Sequence, residues 1–188
     1  MSTPAQQANL LGAFAGVLTD MTATEMTAAA GLTASDVAAL SALRHFLGKP
    51  TIDQLHQALG LSPSGTVRLV DRLARGGFVT REPGTDGRER SVALTVRGRR
   101  AADRITSARA RMLSSSLAGL TPAERDSLHD LISKVMATIV NNKTGGAWIC
   151  RLCDLRACGR DEGRCPAANA AAARYAAGSG TGAGAAPA

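Results

Sequence analysis

Apolar positions recur along most of this chain at helical spacings. From Gln6 to Ala30, Leu10, Leu11, Phe14, Val17, Leu18 and Met21 return every three or four residues, which predicts an amphipathic helix. Val37, Leu40, Leu43 and Leu47 predict a second one, stopped at Gly48-Lys49-Pro50 because Pro50 cannot continue the backbone ladder. Thr51-Ile52-Asp53-Gln54 has the form of a capping box, with Ile52, Leu55 and Leu59 on one face behind it and Gly60 as the stop. Ser62 suits the N-cap and Pro63 the first position of a following helix, which should run to Gly76-Gly77.

After those glycines the period becomes two. Phe78-Val79-Thr80-Arg81-Glu82 and Arg90-Ser91-Val92-Ala93-Leu94 read as short strands around Pro83-Gly84-Thr85-Asp86-Gly87, a β-hairpin with a basic loop. Thr95 caps a long helix from about Val96 to Leu117. Thr121-Pro122-Ala123-Glu124 is a second capping box, opening a helix whose stripe is Leu128, Leu131, Ile132, Val135 and Ile139. Asn141 to Gly146 is a polar break, and from about Ala167 Ala and Gly dominate. The last dozen residues read as a disordered tail.

The predicted fold is therefore mainly α with a small β-hairpin wing: a winged helix-turn-helix plus a helical dimerisation region. Five regions follow: an N-terminal dimerisation helix (1–34), the winged helix-turn-helix (35–96), C-terminal dimerisation helices (97–141), a cysteine-rich segment (142–166) and an Ala/Gly-rich, largely disordered tail (167–188). Composition agrees, because 188 residues suit one ordinary domain with an appendage. With only 3% aromatic residues, Leu, Val, Ile and Ala must fill the core.

Charge adds a partner class. Residues 1–61 carry a net −2, residues 62–104 a net +5 and residues 105–188 a net +4, so the positive excess begins at the predicted fourth helix. A basic block inside an ordered region suits a polyanion, although a solvated face has the same composition. No apolar run approaches the roughly 18 residues of a membrane span, and no basic residue precedes Arg44, so the expectation is a cytoplasmic protein without a membrane partner.

A short helix, a tight turn, a second helix and a hairpin, in that order, predict that the second helix enters a DNA major groove. Val67, Val70, Leu73 and Ala74 should face the core, leaving Ser64, Thr66, Arg68, Asp71 and Arg72 on or near the outward side, with Ser62, Ser64, Thr66, Arg68 and Arg72 expected to meet phosphates and base edges. In the hairpin, Arg88 and Arg90 are expected to reach a minor groove, with Asp86 supporting the wing by holding one of them extended.

These residues resemble the MarR family of bacterial winged-helix transcription regulators from about Val37 to Ile139. The resemblance is carried by Leu59-Gly60-Leu61-Ser62-Pro63-Ser64, by Val70-Asp71-Arg72-Leu73 with Gly77-Phe78-Val79, and by Asp86-Gly87-Arg88-Glu89-Arg90-Ser91 running into Leu94-Thr95. It implies a homodimer whose first and last helices intertwine, with two winged lobes on palindromic operator DNA. It also implies a small-molecule effector, often aromatic or lipophilic. Trp148 and Tyr175 fall outside the region where an aromatic-lined pocket would form.

Beyond the resemblance lie Cys150, Cys153, Cys158 and Cys165, a C-x2-C-x4-C-x6-C cluster followed by Pro166. Four thiolates can close a tetrahedral Zn²⁺ site or hold a [4Fe–4S] cluster, and the spacing does not choose between them. The competing reading is free thiols or a Cys150–Cys153 dithiol, which would make the segment a redox effector site. His45, His56 and His129 are dispersed and Ser114-Ser115-Ser116 lacks a nucleophile elbow, so no enzyme is expected. The alternatives to a regulator are a thiol redox protein and a metal-stabilised protein-interaction adaptor.

Overall fold

The computed structural model describes residues 2–83, 90–142 and 147–179. It divides into two compact units, Met1–Gly119 and Leu120–Ala188.

The first unit holds α1 (Pro4–Ala30), α2 (Ala34–His45), α3 (Ile52–Leu59), α4 (Pro63–Arg75), β1 (Val79–Pro83), β2 (Arg90–Leu94) and α5 (Val96–Ser116). Helix starts are written in the local sequence. Thr3 with Gln6, Thr33 with Asp36 and Thr51 with Gln54 each form a reciprocal capping box, and Ser62 and Thr95 cap α4 and α5 through their hydroxyls. In the Thr-rich α1, Thr19, Thr22 and Thr27 turn their hydroxyls back onto carbonyls four residues earlier, which satisfies those hydroxyls within the helix. Gly60 ends α3 in the left-handed region at φ 66°, where a side chain would be strained.

Strands β1 and β2 pair antiparallel from Val79↔Leu94 to Pro83↔Arg90. The hairpin is anchored to the segment before α3, since the Val92 amide donates to the Pro50 carbonyl at 2.8 Å and Thr51 bridges Ser91. Leu40, Leu55, Leu69, Val70, Leu73, Val92 and Ile105 form the core between these elements and α5. Arg44 pairs with Asp103 at 2.8 Å and the His45 ring bonds the Thr106 hydroxyl at 2.7 Å, fixing α2 along α5. His56 bonds Asp53 on the surface of α3. Gly98 is buried in the first turn of α5 so close to β1 that a Cβ there would lie 2.0 Å from the Phe78 carbonyl oxygen.

The second unit holds α6 (Pro122–Asn142), α7 (Ala147–Cys150), α8 (Leu155–Cys158), a 3-10 turn (Arg160–Glu162) and α9 (Pro166–Ser179). Thr121 and Glu124 start α6 as their spacing predicts: the Thr121 amide donates to Glu124 Oε2 at 2.8 Å and the Glu124 amide to the Thr121 hydroxyl at 3.4 Å. The Thr121 hydroxyl also donates to Glu124 Oε2 at 2.8 Å, and the two bonds to the carboxylate, backbone before side chain, hold the fully exposed Glu124 carboxyl below its ordinary pKa.

One expectation needs revision. Much of the segment from Ala167 is helical rather than disordered: Pro166 opens α9, its alanines have high helix propensity, and one face packs on α6. The Arg174 guanidinium also donates to the Val140 carbonyl at 3.3 Å. The boundary between the two units falls between α5 and α6. No single described helix is long and apolar enough to cross a membrane.

Candidate nucleic-acid interface and thiol cluster

Helix α4 packs through Thr66, Leu69, Val70 and Leu73, all essentially inaccessible. This shifts its inner face from the expected one. Leu69 occupies the core, while Val67 is 41% exposed on the outer face beside Ser64 and Arg68. Ala74 is half-buried.

Thr66 must be corrected. Its side chain is fully buried and its hydroxyl donates to the Ser62 carbonyl at 3.1 Å, so it holds the first turn of α4 together and offers nothing to a ligand. Ser62 is exposed and accepts the Gly65 amide at 3.1 Å, while its hydroxyl lies 3.4 Å from that of Ser64. Arg68 is exposed and makes no ion pair with any described residue.

Arg72 has a different environment. Its Nη2 stands 2.7 Å and its Nε 3.0 Å from Asp36 Oδ1, and Nη2 also reaches the Ser35 hydroxyl at 3.3 Å. Asp36 is buried and receives the Thr33 amide and hydroxyl as well. One carboxylate therefore caps α2 and ties it to α4. The sequence reading missed Asp36; its place at the third position of a Thr33 capping box was a visible signal for the cap but not for the partner on α4.

Arg81 on β1 pairs with Asp71 on α4 at 2.7 Å, and Lys49 pairs with Glu82 at 2.6 Å, so the base of the wing is clamped to both sides of the helix-turn-helix. Arg97 stacks 4.6 Å over the Phe78 ring at the start of α5. Arg90 is exposed at the start of β2, cross-strand from Pro83. Asp86 and Arg88 lie outside the described residues.

An open recess of about 490 Å³ on the first unit is lined by Ala29, Asp103, Arg104, Ser107 and Arg111. No aromatic side chain lines it.

In the second unit none of the four cysteines forms a disulfide; Cys150 and Cys165 are buried and Cys153 and Cys158 half-buried. The bond from Cys153, and secondarily the Arg160 guanidinium 3.8 Å away, pull the Cys150 thiol down to about 6 against the opposing effect of burial. Burial chiefly pushes the Cys158 thiol up, opposed by the Arg160 backbone amide directed at its sulfur. Among the described residues, no three His, Cys, Asp or Glu side chains are already gathered in a metal-holding geometry.

A short helix, a turn, a second helix with an exposed polar and basic face, and a clamped two-stranded hairpin define a winged helix-turn-helix protein. Residues 30–89 match the MarR family model, and the chain carries the fold of MarR-family transcriptional regulators. A structure titled RV1404 from Mycobacterium tuberculosis matches at 26% identity and a TM-score of 0.63, covering 72% of this chain and 93% of that one. A MarR family protein from Bacillus stearothermophilus matches at 25% identity and a TM-score of 0.65, covering 72% and 94%. MepR, a transcription regulator of the Staphylococcus aureus multidrug efflux pump MepA, shares the fold at 16% identity and a TM-score of 0.62, covering 70% and 97%. No curated protein matches the sequence.

Proposed function

We propose that this chain is a homodimeric transcription regulator that reads a palindromic operator, with α4 in the major groove and the hairpin in the adjacent minor groove. The observation that carries the reading is the two-sided character of α4. Leu69, Val70 and Leu73 hold the helix, leaving Ser64, Val67 and Arg68 outward, a hydroxyl, a methyl-bearing surface and a guanidinium. These suit a phosphate, a thymine methyl and a guanine edge in turn. Arg88 and Arg90 belong to the wing contact, with Asp86 in support. Arg72 contributes by fixing the angle of α4 through Asp36.

Dimerisation answers a second problem. Leu10, Leu11, Phe14, Val17 and Met21 on α1, and Leu131, Ile132, Val135 and Ile139 on α6, are all exposed large hydrophobics. Two such stripes on a single chain favour burial against a second copy. The MarR family consists of transcription regulators rather than enzymes, and a cytoplasmic location accords with that role. The recess beside Arg104 and Arg111 suits a small anionic effector better than an aromatic one, and the thiols offer a second input through metal or redox state.

Selection of bound sequences from a random duplex pool, followed by fluorescence anisotropy, tests the reading. The expected result is an inverted-repeat site bound by a particle of twice the 19.3 kDa chain mass. Arg68→Ala should cost about 1–3 kcal/mol of discrimination at one base pair of each half-site. If Arg68 instead contacts a phosphate, the salt slope should flatten by about 0.9 per lost contact. A monomer, or binding that does not distinguish the selected site from random DNA, overturns it.

A further inference from the structure

We propose that Cys150, Cys153, Cys158 and Cys165 form a mononuclear tetrathiolate zinc site that folds the C-terminal segment onto α6. This stands independently of DNA binding, because it concerns only the second unit.

Three observations carry it. The first is how the cysteines are grouped: Cys158 and Cys165 pack in one cluster with Ile149, the neighbour of Cys150, and the Arg160 guanidinium, two residues after Cys158, reaches the Cys150 sulfur at 3.8 Å. Four sulfurs on one Zn²⁺, each about 2.3 Å from the metal, lie about 3.8 Å apart along the edges of a tetrahedron. A [4Fe–4S] cluster places each thiolate on its own iron and needs the sulfurs farther apart than one metal does.

The second observation is the outer hydrogen bonding. Behind Cys158 the backbone turns at Gly159, in the left-handed region at φ 63° and ψ 28°, and this aims the Arg160 amide at the Cys158 sulfur. The Arg160 side chain lies against the Cys150 sulfur at 3.8 Å. One residue thus donates to two of the four sulfurs, the second-layer support that thiolate ligands require.

The third is how little else could hold this unit together. Its buried apolar side chains among the described residues are Val140, Cys150, Cys165 and Ala167, and half of them are the cysteines themselves. Val140 on α6 packs with Cys165 and Ala167, with Met136, Ile149 and Cys158 around them. A core of that size rarely supports a fold without a staple. Zinc binding would supply the missing free energy, and folding and metal affinity become one equilibrium.

On ligation Zn²⁺ displaces the protons still held by the four thiols, which pass to solvent, and the four thiolates with Zn²⁺ make a centre of charge −2 with no change in oxidation state. Cys153 gives up its contact to the Ile149 carbonyl and Cys158 its bond to the Leu155 carbonyl, both of which require a protonated sulfur. Arg151, Arg156, Arg160 and Arg164, spread along the segment, offset the charge.

The full-length chain, purified without chelator under anaerobic conditions, should contain one zinc per chain by elemental analysis. Replacement by Co²⁺ should give the intense visible absorption of a tetrahedral thiolate site. Cys158→Ser and Cys165→Ser should each lower Zn²⁺ affinity more than about hundredfold. Arg160→Ala should lower it about tenfold, the backbone amide alone remaining, and Arg160→Lys less, because it keeps a charged side-chain donor. Should a cysteine variant fail to fold the second unit, the Arg160 variants still decide. Stoichiometric iron with acid-labile sulfide, a Cys150–Cys153 disulfide in the purified chain, or four thiols that react equally fast with and without saturating Zn²⁺ would each overturn the proposal. Anisotropy on the same samples separates the two readings: zinc retained without DNA binding refutes the regulator alone, and DNA binding without zinc refutes the metal site alone.

Discussion

The two units of this chain solve the problem of staying folded by different means. In the first, Leu40, Leu55, Leu69, Val70 and Ile105 interlock beneath the wing, and buried apolar surface stabilises a helix-turn-helix whose outer face is free for recognition. In the second, one helix face and a handful of alanines are closed by four sulfurs with almost no core behind them. The difference teaches where sensitivity lies. The first unit depends on steric fit, and on the zinc-site proposal the second depends on the ligation of its thiols.

The contrast can be broken most sharply at Gly98. An added methyl group would collide with the Phe78 carbonyl oxygen, which cannot move without shifting β1. Gly98→Ala should destabilise the first unit by about 3 kcal/mol, read as an earlier thermal transition. Amide protection in α9 should be unchanged, and equal loss in both regions would mean that the units unfold as one.

A smaller effect is expected at the clamp between α2 and α4. Arg72→Ala strands the buried Asp36 carboxylate with only the Thr33 donors, which should cost about 2 kcal/mol in chemical denaturation. Its effect on operator discrimination should be smaller than that of Arg68→Ala. If Arg72→Ala relaxes one base position as strongly as Arg68→Ala does, the Asp36 pair opens on DNA and Arg72 is a reader after all.

The mildest test is of α6. Because Thr121 holds the Glu124 carboxyl below its ordinary value, the cap stabilises fully above the ordinary glutamate range and is lost as pH falls through the lowered value. NMR titration should place Glu124 below other exposed glutamates, and Thr121→Ala, which removes the hydroxyl donor and keeps the backbone amide, should raise it part of the way to their midpoint. An unchanged midpoint in that variant would remove the cap from the account of how α6 starts.

Much of this was legible because it is local. Capping boxes at Thr51 and Thr121, the Ser62-Pro63 start, the Gly60 stop and the change of period after Gly77 each depend on residues within a few positions of one another, so the order of elements and the winged-helix class could be read directly. Helix α9 was misread because its Ala- and Gly-rich composition resembles a linker, and only the face offered by α6 makes its burial worthwhile.

Tertiary structure alone decided the roles of side chains whose partners lie far along the chain. Thr66 and Arg72 have the polarity of DNA-reading residues, yet one points into the core and the other meets a carboxylate 36 residues earlier. Gly98 looks like any helix glycine until β1 is laid across it. A backbone's hydrogen-bonding needs are met by near neighbours and leave their mark in short motifs, whereas burial and ion pairing depend on which surfaces meet after the elements have formed.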